Sequence, residues 1–227
     1  MEYSGISRDS LFLLADNRFR DSKAFYEEHK EAIKQGVTVP MRQIAGIIGS
    51  ELVSLDSMMV TNPVKMVSRV RRDTRYSRDK SMYRENMWIM FMRDKHQWIN
   101  YPCFWFEVTP ANYSMGIGFF GNDSAVMQNF RKAIRERTAE FKAAARKCEK
   151  VGVNFFGSEY KRMPAGCPKG MEPYYGRKDF GFIYYSPDLD DLKDDKIIDI
   201  IRKNFKAFSP MYSFLLSVAD ETFAKGE

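Results

Sequence analysis

The chain has 227 residues, 44% hydrophobic and 29% charged, which supplies apolar material for a packed core and argues against a disordered chain. Its longest apolar runs, such as MWIMFM, fall far short of the roughly 20 residues a membrane span needs, so no membrane partner is expected. Three widely spaced cysteines without a C-x-x-C pair argue against a disulfide framework or a zinc site, and a reducing cytoplasm is the expected compartment.

In chain order, the first third reads as helical. SLFLLADNRFRDSKAFYEEHKEAIKQG sets Leu11, Leu14, Phe25 and Ile33 among polar residues, with Gly36 a stop signal and Pro40 restarting a helix near its first turn. There Ile44, Ile47, Ile48, Leu52 and Leu55 form a core-facing stripe. From Pro63 the vocabulary turns β-branched and aromatic, and strands are predicted around residues 67–72, 87–92, 104–108 and 114–119. Several of these runs are apolar on both faces, as central strands are, and TPANY supplies turn residues for a hairpin between the last two. Ser124 is placed to cap a helix with Val126, Phe130 and Ile134 on one face; Phe141, Ala145 and Cys148 continue it after a break near Thr138.

The Gly- and Pro-rich YKRMPAGCPKGMEPYYGRKD then precedes a strand around residues 180–185. The chain closes helically with Ile197, Ile198, Ile201, Phe205 and Phe208 in register. Ser209 and Pro210 are placed to cap a last helix through Phe214, Leu215, Val218 and Phe223. With no repeat, low-complexity tract or hydrophilic linker, the expectation is one α+β domain over residues 1–227. It has a central antiparallel or mixed β-sheet and helices at both chain ends.

Common catalytic signatures are absent. GIGFFG, residues 116–121, spells G-x-G-x-x-G, but Phe119 and Phe120 stand where a backbone should approach a pyrophosphate. A strand whose glycines permit close packing is the better reading. His29 and His96 are far apart among charged residues and read as surface histidines rather than as a base or metal ligands. Glu107, a carboxylate amid aromatic strand residues, is a candidate general base if it faces the arginine cluster and a hairpin rim charge if it does not.

That cluster is SRVRRDTRYSRDKSMYREN. Between residues 69 and 84 it carries seven cations against two aspartates, a net +5 in a chain of net +6. About a dozen residues separate the flanking strands, more than the usual median of about 4 to 6 for a connection. In extended backbone Asp73, Arg75, Ser77 and Asp79 project to one side and Arg72, Thr74, Tyr76, Arg78 and Lys80 to the other. Guanidinium forks, a lysine point charge and the Ser, Thr and Tyr hydroxyls together suit a phosphate or carboxylate. On this reading Arg72, Asp73, Arg75, Ser77, Asp79, Lys80 and Tyr83 bind a small anionic ligand, with Arg72, Arg75 and Lys80 gripping it. Asp73 and Asp79 orient the arginines, hold a Mg²⁺ beside a phosphate, or act as a base; no dedicated metal site is predicted, and the residues name no cofactor.

Two alternatives stay open. The Arg and Asp residues can staple a long loop through internal ion pairs with no ligand. The loop can also lie along nucleic acid, with Tyr76, Tyr83, Trp88 and Trp98 stacking on bases while cations track phosphates.

The stretch Arg72, Asp73, Arg75, Tyr76, Ser77, Asp79, Lys80 and Tyr83 resembles the Arg-Asp-x-Arg-aromatic-Ser-x-Asp-Lys-x-x-Tyr segment of domain-of-unknown-function family 2461. NRFRDSKAFYEEHKEAI is similar to that family's opening helix, MGIGFF to its glycine-containing strand, and YKRMPAGCPKG to its Pro-Gly segment. Met82 stands where the family usually has proline, and residues 19–25 are a loose version of its Arg-x-Trp-Phe pattern. The resemblance implies a family arrangement of charges and assigns no reaction, substrate or cofactor.

Overall fold

Serines open the first two helices. The Ser7 hydroxyl accepts from Ser10 N at the start of α1 (Arg8–Arg20), and Ser22 accepts from Phe25 N at the start of α2 (Lys23–Ile33). Each satisfies an amide that a first helical turn leaves without a partner. The structure, a computed structural model, describes residues 2–94, 100–120 and 123–223; His96, Trp98 and Gly121 lie outside them.

Gly36 does not stop the chain. A π turn (Lys34–Thr38) carries α2 directly into α3 (Val39–Leu52). A Cβ at Gly36 would lie 2.4 Å from Ser10 Oγ, so the glycine serves the close approach of α1 rather than a helix end. Pro40 falls in the first turn of α3 as expected, and Met41, Ile44, Ala45, Ile48 and Leu52 form its buried stripe, with Ile47 and Leu55 half-buried.

The chain packs as two compact units. The first comprises Met1–Phe91, Trp105–Ser114 and Tyr185–Arg202. Its core is mainly aliphatic, with Ile6, Leu14, Ile33, Val37, Met41 and Ile44 wholly buried. The second comprises Met92–Phe104, Met115–Tyr184 and Lys203–Glu227. Its core is aromatic: Phe130 stacks on Phe180 at 4.8 Å, and Phe141 meets Tyr174 and Phe214 edge-on at 5.0 and 5.3 Å.

Strands β1 (Met87–Phe91), β2 (Cys103–Val108), β3 (Tyr113–Phe119), β4 (Asn154–Phe156) and β5 (Phe180–Ser186) form an antiparallel sheet in the order β1-β2-β3-β5-β4. The fold is α+β, with helices at both chain ends. All of β3 is buried, which explains its doubly apolar sequence. A Cβ at Gly118 would lie 2.4 Å from Phe180 O and 2.6 Å from Gly181 Cα, so the strand glycine permits close backbone packing.

Three further local expectations change. Residues 67–72 are not a strand; they make only isolated bridges, Val67 to Ile89 and Arg71 to Tyr83, after the short helix α4 (Pro63–Met66). Trp88 N bonds the Ser68 hydroxyl instead of a carbonyl, and a side chain in place of a backbone acceptor interrupts the ladder. The cap of α5 (Ser124–Glu136) is Asp123, whose carboxylate accepts from two amides, and Ser124 is the first helical residue. The break near Thr138 is present, where α6 (Thr138–Glu149) begins. After α7 (Glu172–Tyr175) and a 3-10 turn (Leu189–Lys193), Ser209 and Pro210 start no new helix.

Both residues lie inside one long helix, α8 (Lys196–Phe223). Proline removes one rung of the ladder, but Phe208, Met211, Tyr212 and Leu215 around it are fully buried and hold the helix through. Strand β4, half-exposed and three residues long, is too short for a periodic signal. No helix among the described residues is long and apolar enough to cross a membrane.

Candidate functional site

The arginine-rich loop is a two-armed projection of the first unit. Arg72 N donates to Met82 O at 2.8 Å and Arg84 N to Val70 O at 3.0 Å, so the arms run antiparallel about the Arg71–Tyr83 bridge. The return arm is held by Asp21, whose Oδ1 accepts from Met82 N at 2.7 Å and Tyr83 N at 3.3 Å. Asp21 closes α1 in the left-handed region, φ 44° and ψ 39°, with its N–H on Asn17 O. A short polar side chain tolerates that conformation where most residues do not. Tyr83, fully buried, stacks on Tyr26 of α2 with ring centroids 4.8 Å apart.

At the tip the aspartates are already engaged. Arg72 donates to Asp79, to Ser81 Oγ at 2.7 Å and to Ser77 Oγ at 3.3 Å, and Arg18 from α1 reaches Asp79 at 3.3 Å. The Ser81 hydroxyl and amide also donate to Asp79. Simple alternation puts Arg72 opposite Ser77 and Asp79; the turn that joins Ser77 N to Thr74 O folds them back together. Arg75 grips Asp73 with Nε at 3.0 Å and an outer nitrogen at 2.7 Å, and Lys80 Nζ donates to Thr74 O at 2.9 Å.

These contacts set the carboxylate chemistry. Hydrogen bonds from Arg75, its side chain first and then its backbone, lower Asp73 to about 2; bonds from Ser81 and Arg72 hold Asp79 well below the usual carboxylate range. Both stay ionised near neutral pH, which makes them orienting anions and weak proton acceptors.

The remaining cations are different. Arg69, Arg71 and Arg78 are exposed and make no hydrogen bond or ion pair among the described residues. Arg84 lies over the Trp88 ring at 4.3 Å, and its Nε is buried without a hydrogen-bond partner. Burial first and the nearby Arg72 charge second push its pKa down.

Glu107, half-buried on β2, accepts from Asn86 Nδ2, and no ion pair joins it to the loop among the described residues. His29 Nδ1 lies 3.0 Å from Phe25 O and its ring stacks on Phe25 at 4.0 Å. All three cysteines are free; burial pushes the Cys103 thiol up and takes Cys148 to about 12, so neither is a thiolate near neutral pH. Among the described residues no group of three or more His, Cys, Asp or Glu side chains could hold a metal ion.

Sequence reading missed Asp21 and Arg18 as parts of the loop. The Asp-Ser pair between two helical runs marks a helix boundary, but what its carboxylate binds lies about 60 residues away.

A family model described as "Conserved hypothetical protein (DUF2461)" matches residues 10–214, a range that contains the loop and the helices against it. No curated protein and no solved structure matches the chain. With Arg18, Asp21 and Tyr26 of the opening segment meeting Asp79, Met82 and Tyr83 of the arginine segment, and with that match across most of its length, the chain belongs to the DUF2461 family.

Proposed function

We propose that the protein binds a small phosphate- or carboxylate-bearing ligand at the arginine-rich loop. The observation that carries this reading is the division of charge: both loop aspartates are engaged in direct ion pairs, while Arg69, Arg71 and Arg78 make no hydrogen bond or ion pair among the described residues. Like charges held together without compensation favour an added anion. In this reading Arg72, Asp73, Arg75, Ser77, Asp79 and Lys80 hold the shape of the loop, Tyr83 anchors its return arm, and the open arginines meet the ligand.

A ligand that binds the folded state raises its melting temperature by mass action. Thermal-shift measurement with phosphate esters, nucleotides and carboxylates, with and without Mg²⁺, is expected to give stabilisation beyond a chloride control of equal ionic strength. Replacing Arg69 and Arg71 by alanine is expected to reduce it strongly, as a loss of affinity of about tenfold or more requires. Absence of any anion-specific shift, or a shift unchanged in that variant, refutes the proposal.

One observation favours a second reading, nucleic-acid binding. Tyr76 is 95% exposed at the tip, Arg75 lies 5.8 Å from its ring centroid and Arg78 is unpaired beside it. An open aromatic ring flanked by cations suits base stacking with phosphate contacts. Oligonucleotide affinity then falls with salt at a log–log slope of about −0.7 per phosphate contact on single strands. Undetectable binding at low salt removes this reading.

A further inference from the structure

We infer that the ligand of the loop carries two linked phosphoryl groups and sits in a groove along the loop's stem; this deepens, and depends on, the anion reading above. The groove has a volume of about 590 Å³, inside the general range of about 300–1,000 Å³ for small-molecule sites. Two stretches of chain line it. Lys30 and Lys34 come from α2 and the π turn, Arg42 from α3, and Arg69 and Arg71 from the outgoing arm, with Glu31 the one acid among the lining residues.

Pairing within the groove leaves three guanidinium groups over. Lys30 is held by Glu27 at 2.6 Å and Lys34 by Glu31 at 3.1 Å. Arg42, Arg69 and Arg71 have no ion pair among the described residues, and Arg42 Nε is buried without a hydrogen-bond partner. A buried N–H with no acceptor is unfavourable and is relieved by a ligand that brings one.

Charge then selects the ligand. A single phosphoryl group carries about −1.5 to −2 near neutral pH and leaves three guanidinium charges incompletely matched. Two linked groups bring roughly three negative charges, and arginine forks match phosphoryl oxygens in geometry as well as sign. The backbone gives a separate pointer, since Lys34 and Thr38 of the π turn line the same groove and π insertions in helices occur frequently at functional sites.

The test is titration calorimetry of the full chain with orthophosphate, pyrophosphate and adenosine diphosphate at constant ionic strength. Pyrophosphate is expected to bind about tenfold or more tighter than orthophosphate. Arg42→Gln is expected to remove most of that margin, lowering pyrophosphate affinity by a larger factor than orthophosphate affinity. Arg42→Lys, which keeps the charge and loses the fork, is expected to fall between them and guards against a folding defect in the glutamine variant. Equal affinity for orthophosphate and pyrophosphate, or full pyrophosphate affinity in both Arg42 variants, overturns this inference and leaves anion binding standing. No binding of any of the three overturns both. Adenosine diphosphate binding tighter than pyrophosphate assigns the phosphoryl pair to a nucleotide, and weaker binding assigns it to a diphosphate without a base; either ranking supports the inference.

Discussion

The tip and the stem of one loop use the same residue type in opposite ways. At the tip, Arg72 and Arg75 each meet a carboxylate, and serine hydroxyls complete the shell around Asp79. Along the stem, Arg69 and Arg71 sit two residues apart with Tyr83 bridged opposite Arg71, and they make no direct ion pair among the described residues. An arginine with a partner is a structural tie; one without is, on the proposed reading, the group that meets the ligand. Local density of charge therefore says less about binding than whether acids stand within reach, and the two parts respond differently to substitution.

The largest effect is expected where the loop joins the body of its unit. Asp21→Ala removes the acceptor for Met82 N and Tyr83 N and puts a β-carbon without a polar cap at φ 44°. Urea unfolding is expected to show a loss of about 2–3 kcal/mol. Asp21→Asn keeps an acceptor oxygen and tolerates the left-handed region, so a loss below about 1 kcal/mol is expected. Equal losses in the two variants break the argument that the side-chain oxygen organises the return arm.

Next come the paired variants that separate tip from stem. Arg69→Ala with Arg71→Ala is expected to leave the urea midpoint unchanged and to cost about tenfold or more in affinity for phosphate esters, roughly 1.4 kcal/mol of binding. Arg72→Ala is expected to do the reverse. It loses bonds to Ser77, Ser81 and Asp79, costs about 1 kcal/mol of stability, and leaves a clear anion response. If Arg72→Ala abolishes binding at full stability, the tip is the binding surface and the division between the two parts is wrong.

Acid, read as the difference between a tip variant and the parent protein, tests the tip. Carboxylates with folded pKa values below their unfolded values contribute stability that is present above the unfolded value, about 3.9 for Asp. That contribution is lost as pH falls through the folded values, about 2 for Asp73 and lower for Asp79. Stability measured from pH 5 to 2 is expected to fall less steeply in Asp79→Asn than in the parent protein, and a matching slope shows that the staple contributes nothing. The smallest effect belongs to Arg75→Ala, whose pair with Asp73 is largely solvated; no change in urea midpoint is expected, and a measurable one means that Arg75 has a second structural role.

Much of the fold follows from local pattern. The 3.6-residue stripe of Ile44, Ile48 and Leu52, the break at Thr138 and the doubly apolar β3 are visible in sequence because each reflects neighbours within one element. Where the expectations failed, a distant contact outweighed the local signal. Gly36 lies in a π turn, and Ser10 packs so close that a side chain there would clash. Pro210 lies inside a helix whose surrounding side chains are buried, and residues 67–72 miss being a strand because the Ser68 hydroxyl takes the Trp88 amide.

For the candidate site, the chain alone determined the excess of cations between residues 69 and 84 and the alternation of Asp with Arg. Those are counts and spacings, independent of folding. Which arginines keep free charge was decided only by tertiary structure: the turn at residues 74–77 returns Asp79 to Arg72, Arg18 arrives from α1, and Arg42 comes beside Arg69 and Arg71 from α3. Ion pairing falls off within a few ångströms; positions 18 and 42 become neighbours of the loop's arginines only after the helices pack, and position 79 only after the loop turns back on itself.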